Sequence, residues 1–140
     1  MKDRIFIDTN IFVYSAVEDT INLDKRNKAI ELIQGEEYEI IVSTQVINEF
    51  YTILIRNGIS DADIQERIFE IVENAVLTNV TFKTIQYAWG IREQYKYSYW
   101  DSLIVASALE NNCSILYTED FQGGQIIEKK LKIINPFIEK

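Results

Sequence analysis

Carboxylates have the best claim to chemistry in this sequence, because most other catalytic side chains are scarce or missing. The chain carries no histidine, one cysteine (Cys113), and 22 Asp and Glu against 14 Lys and Arg. A Ser/His triad, a Cys/His zinc site and an intrachain disulfide are therefore excluded. What remains is oxygen-rich, and a metal bound by such groups would be a hard divalent ion such as Mg²⁺ or Mn²⁺. Four acidic places stand out: Asp8 in "RIFIDTN", Glu49 in "STQVINEFY", Asp101 in "SYWD", and Glu119 with Asp120 in "TEDFQGG".

Each place also has a purely structural explanation. Asp8 follows an apolar run and can cap the helix after it, its oxygen satisfying amides that lack a helical partner. Glu49 sits at the edge of an apolar stripe, where a solvated side chain is expected. Asp101 can close a capping box with Ser98, yet helical spacing also aligns it with Ile104, Val105 and Ala108, a face that should be covered. Glu119 and Asp120 are ordinary acidic turn residues. The conjunction changes the weighting, because three of these acids follow a strand or sit on a helix entered from one, so the topology delivers them to one rim. Carboxylates held together raise one another's pKa, and a divalent cation is the simplest compensation. Such a cation can ionise a bound water, aim it at phosphorus and stabilise the leaving oxygen.

The elements that must position these acids can be read from periodicity. The spacing predicts a short strand around residues 5–8, a helix over 10–17 and an amphipathic helix over 23–33 ending near Gly35. "YEIIVS" reads as a second strand. The helix after it has Val46, Ile47, Phe50, Tyr51 and Leu54 on one face and stops at Gly58. Further helices are expected over 61–75, 82–95 and 100–111, with strands at "VLTNV", "CSILYT" and "KLKIINPF", the last stopped by Pro136. Strands alternating with helices make a parallel sheet with helices on both faces. In such sheets ligands sit beyond the carboxyl ends of the strands, where strand order reverses.

A net charge of −8 argues against coating nucleic acid non-specifically. Local basic patches are available at Lys25, Arg26 and Lys28, at Arg92 and Lys96, and at Lys129, Lys130 and Lys132. No apolar run reaches the roughly 18 residues of a bilayer span, and the start lacks a signal peptide's apolar segment, so a soluble cytoplasmic protein is expected. Phe6, Phe12, Phe50 and Trp89 are expected in the core. Tyr95, Tyr97, Tyr99 and Trp100 cluster just before Asp101, in a segment that can edge a pocket.

"FIDTNIFVY", "STQVINEFY", "YWDSLIVASAL", "LYTEDFQGG" and "INPF", in this order, resemble the PIN-domain family, and within it the VapC-type toxins of toxin–antitoxin pairs. The likeness runs from near residue 5 to near residue 137. It implies an α/β fold: a single PIN-like domain over residues 1–140, its central parallel sheet having about five short strands with helices on both faces. It also implies an Mg²⁺- or Mn²⁺-dependent endoribonuclease. Carried over by position, Asp8, Glu49, Asp101 and Asp120 would be the catalytic and metal-binding acids. Asp120 is preferred as the fourth because the family's Ser/Thr, any residue, Asp pattern falls on Thr118, Glu119 and Asp120; Glu119 is the alternative. Asn10 and Thr118 would orient ligands or water, and Thr9 would steady the turn. The implied partners are an RNA substrate, a cognate antitoxin covering the acidic pocket and a second copy in a homodimer, with no membrane; the helix pair over 49–75 is expected to supply some of those contacts.

The acidic balance departs from what tight RNA binding suggests, so metal ions, a local basic strip or a dimer groove must offset it. A catalytically inactive PIN-fold module for binding protein or RNA is the main rival, and the presence of all four acids counts against it. A receiver-like phosphoacceptor needs paired acids after the first strand, and "DTN" supplies one.

Overall fold

Ile5, Phe6 and Ile7 are all buried, so the first strand, β1 (Asp3–Ile7), is covered on both faces, as an apolar run without alternation requires. The computed structural model describes residues 2–17, 21–121 and 123–138. The other residues of the expected 1–140 domain, Gln122 of "TEDFQGG" among them, lie outside that description. Along the chain follow α1 (Thr9–Ala16), α2 (Leu23–Gln34), β2 (Tyr38–Ser43), α3 (Thr44–Arg56), α4 (Asp61–Glu73) and β3 (Val76–Thr78). Then come α5 (Phe82–Tyr95), α6 (Tyr99–Glu110), β4 (Ile115–Tyr117), β5 (Ile126–Ile127) and β6 (Leu131–Ile134).

The strands form one sheet in the order β3-β2-β1-β4-β6-β5. Five are parallel, as expected, and β5 pairs antiparallel with β6 at the edge. The chain builds outward from β1 through β2 to β3, then returns to place β4 on the other side of β1. Strand order therefore reverses at the β1/β4 boundary, and the carboxyl ends of those two strands open onto one crevice.

Helices α1, α2, α3 and α4 pack on one another, whereas α5 packs chiefly on α6. Every residue from Ser102 to Leu109 is buried, because α5 covers the side of α6 that would otherwise meet solvent. The large side chains Phe6, Phe12 and Phe50 anchor the core, and Phe12 meets Phe50 edge-to-face at 6.5 Å. Burying each such ring contributes roughly 1.5–3 kcal/mol.

Two expectations need correction. Trp89 is 51% exposed rather than in the core, and pairs edge-to-face with exposed Phe82. The contact of α5 with α6 uses small and aliphatic residues, Ala88 against Leu103 and Ala106, so the indole next to Ala88 turns outward. The short β5 was not anticipated. Glu128 and Lys129 both adopt positive φ (52° and 60°) in the turn leading to β6, without the glycine or asparagine that usually marks such a turn. Contacts from α5 hold it instead: the Glu128 amide donates to the Tyr95 hydroxyl at 2.9 Å, and the Tyr87 hydroxyl donates to the Glu128 carboxylate at 2.7 Å.

Candidate active site

Asp8 directly follows β1 and is only 4% exposed. Its backbone amide donates to Tyr117 O at 3.0 Å, carrying the β1/β4 pairing one residue beyond the strands. One carboxylate oxygen accepts from the Thr9 amide at 2.7 Å, so the capping role is real. The other accepts from the Thr118 hydroxyl at 2.8 Å, which capping does not require. Thr118 follows β4 and is itself fully buried. Asp8 is thus tied to both strands flanking the crevice.

The other acids are held by neutral donors in the same way. The Thr9 hydroxyl donates to Glu49 Oε1 at 2.9 Å, joining α1 to α3. Asn10 Nδ2 donates to Asp120 Oδ2 at 3.0 Å and lies 3.4 Å from the Thr118 hydroxyl, which also accepts from the Asp120 amide at 3.1 Å. Asp101 begins α6, where the Ser98 hydroxyl accepts its amide at 3.1 Å. That is half of the expected capping box; the residue lines the crevice as well.

Asp8, Asn10, Glu49, Asp101 and Asp120 together line one cavity of about 960 Å³. Burial pushes the Asp8 carboxyl up to about 7, and the charges of Asp120 and Glu49 push in the same direction against the Thr118 and Thr9 hydrogen bonds. Glu49 and Asp101 are also raised, mainly by desolvation, with further repulsion from neighbouring acids. Glu49 is half-buried rather than solvated, because α3 packs on α1 and brings it to Thr9. Among the described residues, no three acids are gathered closely enough to hold an ion as they stand. The donor set still suits a hard divalent cation: all oxygen, deficient in positive charge, and held in place by hydroxyl and amide donors.

Glu119 is turned to another task. It accepts from the Tyr14 hydroxyl at 2.7 Å and forms an ion pair with Lys25, whose ammonium also lies over the rings of Tyr14 and Phe137 at 5.0 and 5.6 Å. This clasp ties α2 and α1 to the loop after β4, and Asn10 Oδ1 accepts the Glu119 amide at 3.3 Å. Asp120, rather than Glu119, lines the cavity.

Sequence reasoning passed over Gln45 and Arg56, which line the same cavity as Glu49. The signal was present in the helical register, since positions 45, 49, 52 and 56 share one face of α3. Of the aromatic cluster, Trp100 lines the cavity, while Tyr95 and Tyr97 stack on each other and hold the loop that carries Phe121.

Thr118→Val removes the hydroxyl that serves Asp8, Asn10 and Asp120 while keeping the shape. It is expected to lower the folding free energy by about 1–3 kcal/mol at pH 8, where Asp8 is ionised, and by less at pH 5. Urea unfolding at the two pH values measures this. An equal loss at both would show that the hydroxyl does not serve the carboxylate.

Residues 5–123 match the family model for the PIN domain. The chain belongs to the PIN-domain family. No curated protein matches this PIN domain significantly in sequence. Among solved structures, it is similar to VapC20 of Mycobacterium tuberculosis, described as a toxin cleaving the Sarcin-Ricin loop. The two share 19% identity over 83% of this chain and 91% of that one, with a TM-score of 0.68. A toxin–antitoxin complex from Klebsiella pneumoniae matches at 17% identity over 94% of this chain and 97% of that one, with a TM-score of 0.67. VapBC2 of Rickettsia felis, determined bound to a DNA fragment from its promoter, matches at 19% identity over 84% and 88% of the two chains, with a TM-score of 0.61. At these identities the likeness establishes the fold. Among the described residues, no helix is long and apolar enough to cross a membrane.

Proposed function

We propose that this PIN domain is a metal-dependent endoribonuclease of the VapC kind, the toxin of a toxin–antitoxin pair. In this reading the chain is one catalytic unit over residues 1–140, works as a homodimer in the cytoplasm and is silenced by a cognate antitoxin. The observation that carries it is the set of four carboxylates from separate segments, Asp8, Glu49, Asp101 and Asp120, lining one cavity at the point where strand order reverses. The structural neighbours supply the toxin–antitoxin context.

Asp8, Glu49, Asp101 and Asp120 would hold Mg²⁺ or Mn²⁺, directly or through water. Such an ion, when bound, supplies a water ionised near neutral pH and positive charge against the phosphodiester oxygens. The chain's own groups do the positioning. Thr118 and the Thr9 amide fix both oxygens of Asp8, the Thr9 hydroxyl orients Glu49, and Asn10 orients Asp120.

Cleavage of a single-stranded RNA by purified, partner-free protein is expected to require added Mg²⁺ or Mn²⁺, to stop with EDTA, and to resume when metal is restored. Cleavage undiminished by EDTA would overturn the metal-dependent reading. The separation of the acids is the one feature that favours the rival, a PIN-fold binding module. A cooperatively folded protein that cuts no RNA at any metal concentration, yet retains it on a filter, would decide for that rival.

A further inference from the structure

The cavity that gathers the acids is poor in positive charge, which raises the question of how an RNA strand is held there. Among the described residues, Arg56 is the only basic one in its lining. Among the described residues, no ion pair or hydrogen bond engages the Arg56 guanidinium. A cation in the last turn of α3 complements the helix dipole, which accounts for an arginine there but not for its register. Seven residues separate it from Glu49, placing it on the same helix face about 10 Å along the axis. It stands at the cavity's edge, away from the acids.

Trp100 lines the same cavity and is 62% exposed, although apolar rings of this size are usually covered. Its backbone is held nonetheless. Gln45 Nε2 donates to Trp100 O at 3.1 Å, Ser98 caps the helix it begins, and Tyr99 packs edge-to-face at 5.4 Å between centroids. An exposed indole carried on a backbone held in this way, next to Asp101, is a stacking surface, since every base offers a π-face. The exposed pair of Trp89 and Phe82 is absent from this lining and serves as an internal comparison.

We propose that Trp100 and Arg56 grip single-stranded RNA at two edges of the acid-lined cavity, Trp100 stacking on an unpaired base and Arg56 binding a phosphate away from the cleavage point. The grip rests on the nuclease reading for the identity of its ligand. It requires an unstacked strand, because a base within a duplex offers no free face to the indole.

Two measurements test it. In protein carrying Asp8→Asn to prevent cleavage, Trp89→Phe leaves Trp100 as the only tryptophan, and Trp100→Phe leaves Trp89. A single-stranded oligoribonucleotide should quench the fluorescence of Trp100 and not that of Trp89. In otherwise wild-type protein, Trp100→Ala and Arg56→Ala should each raise KM by about tenfold with a smaller effect on kcat. Arg56→Ala should also make the slope of log affinity against log salt shallower by about 0.7, the single-strand value for one lost phosphate contact, and Trp100→Ala should not. Both variants should keep the rise in melting temperature on adding Mn²⁺, which guards against misfolding. Unchanged KM and salt slope in both variants, with no quenching of Trp100, would overturn the grip. If Asp8→Asn meanwhile abolishes cleavage, the nuclease reading survives that loss; if Asp8→Asn cleaves normally, it is the nuclease reading that fails.

Discussion

Replacing Asp8 by asparagine is expected to lower RNA cleavage by on the order of a thousandfold, the scale seen when a preorganised electrostatic group is removed from an active site. The fold should survive. Asparagine keeps the shape and an oxygen that can accept from the Thr9 amide. What is lost is an anion held at the junction of β1 and β4, where Thr118 ties it to the second strand. The same substitution should diminish the rise in melting temperature produced by Mn²⁺, because a ligand that binds only the folded state stabilises it in proportion to its affinity. Without metal, Asp8→Asn should melt higher than wild type at pH 8, since it no longer buries a charge. Single-turnover cleavage and melting curves with and without Mn²⁺ measure all three effects. Wild-type cleavage together with a wild-type Mn²⁺ shift would remove Asp8 from the site.

The second large effect is on stability as pH changes in metal-free protein. Asp8 has a folded-state pKa of about 7 against an ordinary value of 3.8, so between those values the folded chain holds a proton that the unfolded chain has released. Stability must then fall as pH rises through this window. At about 1.4 kcal/mol per pH unit, the loss is on the order of 4 kcal/mol. Glu49 and Asp101 are raised as well and act in the same direction. Against a total folding free energy of about 5–15 kcal/mol this is a large fraction. Urea unfolding in EDTA should give a higher midpoint at pH 5 than at pH 8, and saturating Mn²⁺ should narrow or reverse the difference. A midpoint that climbs with pH in EDTA would contradict the burial of ionised Asp8 as the dominant cause.

Much of this architecture could be read from local patterns. The apolar run of Ile5, Phe6 and Ile7 announces a doubly covered strand, and the stripe of Val46, Phe50 and Leu54 announces the buried face of α3. Asp8 was legible because an acid directly after such a strand must lie at the sheet's carboxyl edge. Glu49 was harder, since its burial depends on Thr9, forty positions away, and periodicity within α3 carries no trace of that contact. The choice between Glu119 and Asp120 rested on a motif, and the structure adds a reason that the motif lacks: Lys25 and Tyr14 draw Glu119 aside. Trp89 misled because its spacing suits a core residue, while it is Ala88 that α5 packs against Leu103 and Ala106 of α6. The β5 strand left no signal because its turn takes its shape from Tyr87 and Tyr95, not from its own residues.

The strand order has a consequence for how the molecule comes into being. β4 lies between β1 and β6, so Asp120 and the buried Thr118 reach Asp8 only after the late segments of the chain have joined the early ones. Domains generally form as units as they leave the ribosome. A nascent chain truncated before residue 118 holds Asp8, Glu49 and Asp101 but lacks the hydroxyl and the acid that complete the hollow. On the nuclease reading, a chain that stops short of Thr118 is expected to cut nothing, because the acid pocket is still unclosed.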